Sequence, residues 1–203
     1  TKLIPGFTRA LSTTIICTVA IVVIPLSALV IQSAHAGWHQ FFSLAFESRT
    51  LASYYVSLKG ALLAAAINTV IGFLLAFVLS MYRFRGRGIL TTILDLPFAL
   101  PTSVAGIALA YLLSPQGWLG QLVAPLKVAY TFSGIVIALT FVTLPFVVRT
   151  VQPVLDNLDT SVLEAATTLG AKPWRVFCAV ILPEVLPALW TGFSLVFARA
   201  LGE

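Results

Sequence analysis

Charged residues are scarce in this sequence. They make up 9% of 203 residues against 59% hydrophobic ones, where an average soluble domain carries roughly 25% charged residues. So few charges cannot keep that much apolar surface in water, and the apolar residues fall in long unbroken runs. Leu11 to Val30 lacks the polar stripe of a soluble helix, which excludes a soluble helical core protein. Cysteine is nearly missing as well. Cys17 and Cys178 both lie inside apolar runs, read as buried reduced thiols, and exclude a disulfide framework.

Catalytic patterns are also lacking. No G-x-x-x-x-G-K-[ST] loop is present, so the chain cannot cradle nucleotide phosphates by itself. There is no C-x-x-C and no H-E-x-x-H. His35 and His39 stand four apart, a metal-ligand spacing on a helix, but no carboxylate or cysteine adjoins them, and they read as polar residues at the membrane edge. Ser133-Gly134 has no histidine within a span to activate it, which argues against an intramembrane serine protease. Neither catalysis, a metal site nor a bound cofactor is expected. Net charge is +5, but the basic residues sit in short loops without interleaved exposed aromatics, so nucleic acid is not the expected partner and the lipid bilayer is.

What is present fits an all-α integral membrane protein, a bundle of five visible transmembrane helices forming one domain over residues 1–203. The expected spans are Ala10 to Ile31, Ala61 to Met81, Ile89 to Leu113 (interrupted by Asp95, Pro97 and Pro101), Thr131 to Val148 and Val176 to Leu201. Each approaches the ~20 residues that cross the hydrocarbon as a helix. The first is too long for a signal-peptide core and has no small-residue cleavage site where one is needed, so it reads as a retained span. The opening at Thr1 and the stop after Glu203 read as trimming at both ends. Trp38 to Lys59 mixes aromatics with Glu47, Arg49 and Lys59 and is expected as an amphipathic helix on the outer surface, running into the second span.

With five spans, Lys2, Arg9, Arg83, Arg85, Arg87, Arg149, Lys172 and Arg175 fall on one side and Arg49, Lys59 and Lys127 on the other. The side richer in basic residues is cytoplasmic by the positive-inside rule, and the N-terminus with it.

The cytoplasmic stretch from Asp156 to Pro183 is the informative one. Asp159 to Ser161 offer N-cap oxygens, and Ser161 with Glu164 has capping-box spacing. Val162, Ala165, Ala166 and Leu169 form an apolar stripe at i, i+3, i+4 and i+7. Gly170 suits a C-terminal cap and Pro173 the first turn of the next helix. A short amphipathic helix outside the membrane follows. It either docks a partner through Ala165 and Ala166 or lies on its own bundle or on lipid.

Glu164-Ala165-Ala166, then Gly170, then Val180-Ile181-Leu182-Pro183 after nine residues, resembles the EAA loop of ABC importer permeases, with Val180 where isoleucine is usual. Tyr82-Arg83-Phe84, Asp95 to Thr102, Pro145 to Pro153 and Arg199 to Glu203 are similar to the sulfate/thiosulfate permeases of the T-subunit type. The resemblance implies a type I ABC importer permease fold, of six spans in the family, in a bacterial inner membrane. It makes residues 156–175 the coupling loop, with Glu164, Ala165, Ala166, Leu169 and Gly170 meeting the ATPase. The implied partners are a second permease subunit, related and W-type; two cytoplasmic ATPase subunits that hold ATP and Mg; and a periplasmic sulfate/thiosulfate-binding protein. The family continues past Leu201-Gly202-Glu203 with another span, so the chain is expected to be incomplete there. Molybdate or tungstate is the alternative cargo, and a secondary anion transporter the alternative mechanism.

Three residues are pathway or gating candidates. Thr102 and Ser103 either satisfy backbone groups freed by Pro97 and Pro101 or face the anion. Arg199 either pairs with Glu203 at i+4 or attracts the anion. Asp95 is an intramembrane acid, expected to pair with an arginine of the Arg83–Arg87 loop.

Overall fold

The computed structural model describes residues 7–35, 37–122 and 128–203, and every regular element among them is helical. The helices are α1 (Phe7–His35), α2 (Trp38–Ala45), α3 (Ser48–Met81), α4 (Arg87–Ala99), α5 (Thr102–Leu112), α6 (Trp118–Leu122), α7 (Phe132–Asp156), α8 (Thr160–Thr168) and α9 (Pro173–Leu201). α1, α3, α7 and α9 are each long and apolar enough to cross a membrane, and α4 with α5 make a fifth candidate bent by 111°. The multi-span helical reading of the sequence therefore holds. Lys2 and Lys127, used in the charge count, lie outside the described residues.

Two compact units divide the chain, one ending at Tyr54 and the other running from Tyr55 to Glu203. In the first, α1 buries no residue, so Cys17 is exposed instead of buried as expected. An apolar run is buried only where something packs on it. α2 carries the stack Trp38–Phe42, continued to Phe46, with ring centroids 6.2 and 6.3 Å apart. The expected surface helix over 38–59 is thus two pieces: α2, then a break at Phe46–Glu47 before α3.

α1 and α9 each contain a π turn, and the sequence explains both. Ile24 N–H bonds to Val19 O and is followed by Pro25; Leu182 N–H bonds to Phe177 O and is followed by Pro183. A proline inside a helix lacks its N–H and collides with the carbonyl four residues back. Widening the preceding turn moves that carbonyl away.

In the second unit α3 turns one seam inward: Gly60, Ala61, Ala64, Ala65, Asn68, Gly72, Ala76 and Leu79. Hydrophobicity does not distinguish a neighbouring helix from lipid, so close approach through small residues is what holds membrane helices together. Val147 of α7 fills the notch at Gly72 and also touches Gly192 of α9. Below it Leu79, Val151, Leu155, Val185 and Ile181 make the core.

Direction follows from the cross-links. Asn68 Nδ2 donates to Thr140 O at 3.1 Å, and Ser80 Oγ donates to Gln152 O at 3.4 Å, both with a sequence offset of 72. A constant offset means that α3 and α7 run parallel. The chain must return across the bundle between them, and α4–α5 is the return. At the bend Leu100 is extended (φ −94°, ψ 133°) ahead of Pro101, since proline bars the preceding residue from the helical region. The third expected span is therefore a broken one. The fourth runs on to Asp156 instead of ending at Val148, which puts Arg149 inside a helix and not in a loop.

Candidate functional site

The ends of α3 and α7 and the starts of α4 and α9 share one side, and α8 stands there between α7 and α9. α8 has nine residues and is closed at both ends. Its N-cap is Asp159, whose Oδ1 accepts the Ser161 N–H at 2.8 Å. The bond from the Ser161 hydroxyl, then that from its backbone N–H, hold the Asp159 carboxyl below its ordinary value. The expected Ser161–Glu164 capping box gives way to this cap, because Asp159 lies in extended backbone and reaches the free N–H first.

Gly170 closes the other end. Its φ is +76°, a left-handed value that a side chain resists. Ala171 N–H reaches Ala166 O at 3.1 Å and Gly170 N–H reaches Thr167 O at 2.9 Å, the paired bonds of a Schellman stop. Nothing lies within 4 Å of a Cβ placed at Gly170, so only the backbone angle makes glycine suitable there. Lys172 stands at the N-cap position of the next helix without a side-chain cap bond, and Pro173 falls in the first turn, where the sequence led us to expect it.

α8 does not bury the stripe read from the sequence. Leu163 packs against the core and Ala166 is half-buried, while Val162, Glu164, Ala165 and Leu169 are exposed, Leu169 at 88%. Trp174, just after the glycine corner, is 74% exposed. Beside α8 opens a hollow of about 520 Å³ lined by Pro153, Val154, Asn157, Leu158, Asp159, Val162, Leu163, Val180 and Glu184. The helix thus leans on its own bundle through one edge and offers the rest to solvent.

The pathway candidates are not brought together. Thr102 is half-buried and Ser103 exposed at the start of α5, where Pro101 is the N-cap and no side chain caps the helix. Arg199 Nη1 pairs with Glu203 Oε1 at 2.5 Å, the i+4 arrangement. Asp95 of α4 binds Arg149 of α7, where an arginine of the Arg83–Arg87 loop was expected. Arg149 Nε donates to Oδ1 at 3.0 Å and Nη2 to Oδ2. The reason is the extra length of α7, which carries Arg149 alongside Asp95.

A buried polar centre was not read from the sequence at all. Asn68, wholly buried, donates to Thr140 O and, at 2.8 Å, to Thr143 Oγ1. The signal available was a lone amide on the small-residue seam of an otherwise apolar span.

Residues 68–203 match the family model described as "Binding-protein-dependent transport system inner membrane component". The chain is 48% identical over 204 residues, all of its length and 74% of the relative's, to the "Sulfate transport system permease protein CysT" of Escherichia coli. It is 47% identical, with the same coverage, to the protein so named in Salmonella typhimurium. It is 44% identical over 192 residues, 94% of its length and 67% of the relative's, to that of Synechocystis. A bundle of membrane-crossing helices, a short capped helix set outside it and a family match over most of the chain agree: this chain belongs to the binding-protein-dependent transport system inner membrane components.

Proposed function

We propose that this chain is one transmembrane half of an ATP-driven importer of sulfate or thiosulfate, and that α8 is its coupling helix. The observation that supports this best is the exposure of Val162, Ala165, Leu169 and Trp174 around a helix fixed at both ends. A lever must be rigid, and its outer face must be free for the subunit that moves it. Glu164, Ala165, Ala166, Leu169 and Gly170 are the residues assigned to that contact. ATP and Mg belong to the two cytoplasmic ATPase subunits, and this chain holds neither. A second, related permease subunit completes the path, and a periplasmic binding protein delivers the anion. Arg83, Arg85, Arg87, Lys172 and Arg175 accompany α8 on its side of the bundle, which supports assigning that side to the cytoplasm. The N-terminus is assigned to the same side.

The cargo explains the need for an engine. Moving a dianion into a cell that is negative inside costs about 2.3 kcal/mol per charge per 100 mV. The relatives' names make sulfate the first cargo to test, with thiosulfate, molybdate and tungstate beside it. In vesicles holding the assembled transporter, uptake should require ATP and the binding protein. Ala165→Trp with Gly170→Val should abolish it and leave the helical content unchanged. Full ATP-dependent uptake by that double variant, or uptake by the purified chain alone on an ion gradient, would overturn the reading.

A further inference from the structure

The Asp95–Arg149 pair stands inside two membrane-crossing segments and is not sealed within the chain. The Arg149 side chain is 47% exposed and that of Asp95 37%. Lipid is a poor neighbour for either charge, so such residues face a bundle interior or a water-filled path. Arg149 lies about 10 Å, at 1.5 Å per residue, from the end of α7 that leads to α8. The guanidinium commits Nε and Nη2 to the carboxylate, and Nη1 has no partner among the described residues. Gln152, one turn further along α7, packs in the same closed gap as Asp95 and Arg149; its Nε2 donates to Asp156 Oδ2 at 3.5 Å, and its Oε1 is buried without a donor.

We propose that Arg149 is an oxyanion-binding group on the transport path and that Asp95 occupies it between transport events. This rests on the oxyanion cargo proposed above. The argument is geometric. A guanidinium grips two oxygens of a carboxylate and two oxygens of a tetrahedral oxyanion with the same fork of N–H donors. Asp95 shows the fork already in use. A free arginine in this place would hold a dianion too firmly to release it, and passage requires a site that binds only weakly. An internal carboxylate competes with the cargo, weakens its binding and neutralises the arginine when no cargo is present. The orphan Gln152 Oε1 gives the guanidinium a second acceptor when it leaves Asp95.

The proposal separates from a simple brace by sign. In the assembled transporter without binding protein, radiolabelled sulfate binding is measured at fixed ionic strength. Asp95→Asn should tighten it about threefold and Arg149→Gln weaken it about tenfold, with Arg149→Lys between wild type and Arg149→Gln because it keeps charge and loses the fork. A brace predicts that both charge-removing variants act alike, and a shift in the same direction, or none in either, overturns the proposal. Should the variants fail to assemble, wild-type transporter is treated with phenylglyoxal and mapped by mass spectrometry. Sulfate, and not chloride of equal ionic strength, should protect Arg149; equal modification with both anions overturns the proposal. Wild-type uptake is measured alongside. Absence of sulfate uptake removes the cargo reading, whereas uptake without protection of Arg149 removes this inference alone.

Discussion

Replacing Gly72 with alanine puts a methyl group where Val147 already stands. A Cβ there would lie 2.7 Å from Val147 Cβ and 2.8 Å from its Cγ1. Both are inside contact distance, and neither belongs to a flexible chain end. Val147 cannot retreat, because it is wholly buried and its other side meets α9 at Gly192. α3 and α7 must therefore separate. Overpacking of this kind costs about 1–3 kcal/mol, against roughly 0.5–1 kcal/mol gained by placing alanine for glycine in a helix. Gly192 supplies the control. A Cβ there would meet the same valine at 3.4 to 3.6 Å, ordinary contact, so Gly192→Ala keeps the helix gain without the clash. The two variants should differ by about 2 kcal/mol, or roughly 4–8 °C in melting temperature for a chain of this size. The assay is thermal unfolding of the detergent-solubilised transporter, followed by circular dichroism. A Gly72→Ala variant that melts with or above Gly192→Ala would refute the seam as the packing determinant.

Other expectations follow from the same structure. A double-mutant cycle between Asn68→Ala and Thr143→Ala should give a coupling near 0.6 kcal/mol and no more than about 1.7, the range of hydrogen bonds between membrane helices, read from unfolding midpoints. Gly170→Asn should keep ATPase coupling and Gly170→Val should lose it, because asparagine tolerates the left-handed angle and a β-branched residue does not; the readout is ATP turnover stimulated by the binding protein. The Asp159 carboxyl is held below its ordinary value by its bonds to Ser161. Its contribution to α8 is therefore complete above that ordinary value and is lost as pH falls through the folded one. Fraying of the first turn on acidification, seen as lost amide-exchange protection at Ser161 relative to Asp159→Asn, is the expected result.

The helix stops were legible because each rests on one residue's own backbone. Gly170 at φ +76° and Pro173 in a first turn are local facts, and the family resemblance over the loop drew on the same residues. The ion pair was not legible. Asp95 and Arg149 are 54 residues apart, and their meeting depends on α7 continuing past Val148 and on α4 running back beside it. The stripe on α8 was legible as apolar, but whether it faced a partner or its own bundle was left open, and that Leu163, outside the stripe, is the residue packed on the core was not legible.

Hydropathy alone determined that this chain lives in a membrane as helices, because backbone groups in hydrocarbon must be satisfied within their own segment. Local conformational preference determined where α8 begins and stops. Tertiary structure decided the rest: that α3 and α7 run parallel, that Val147 locks three helices together and that Arg149 finds Asp95. In lipid an apolar stretch has no preferred face, so only the steric match between notches and side chains, and the pairing of the few polar groups, can choose its neighbours.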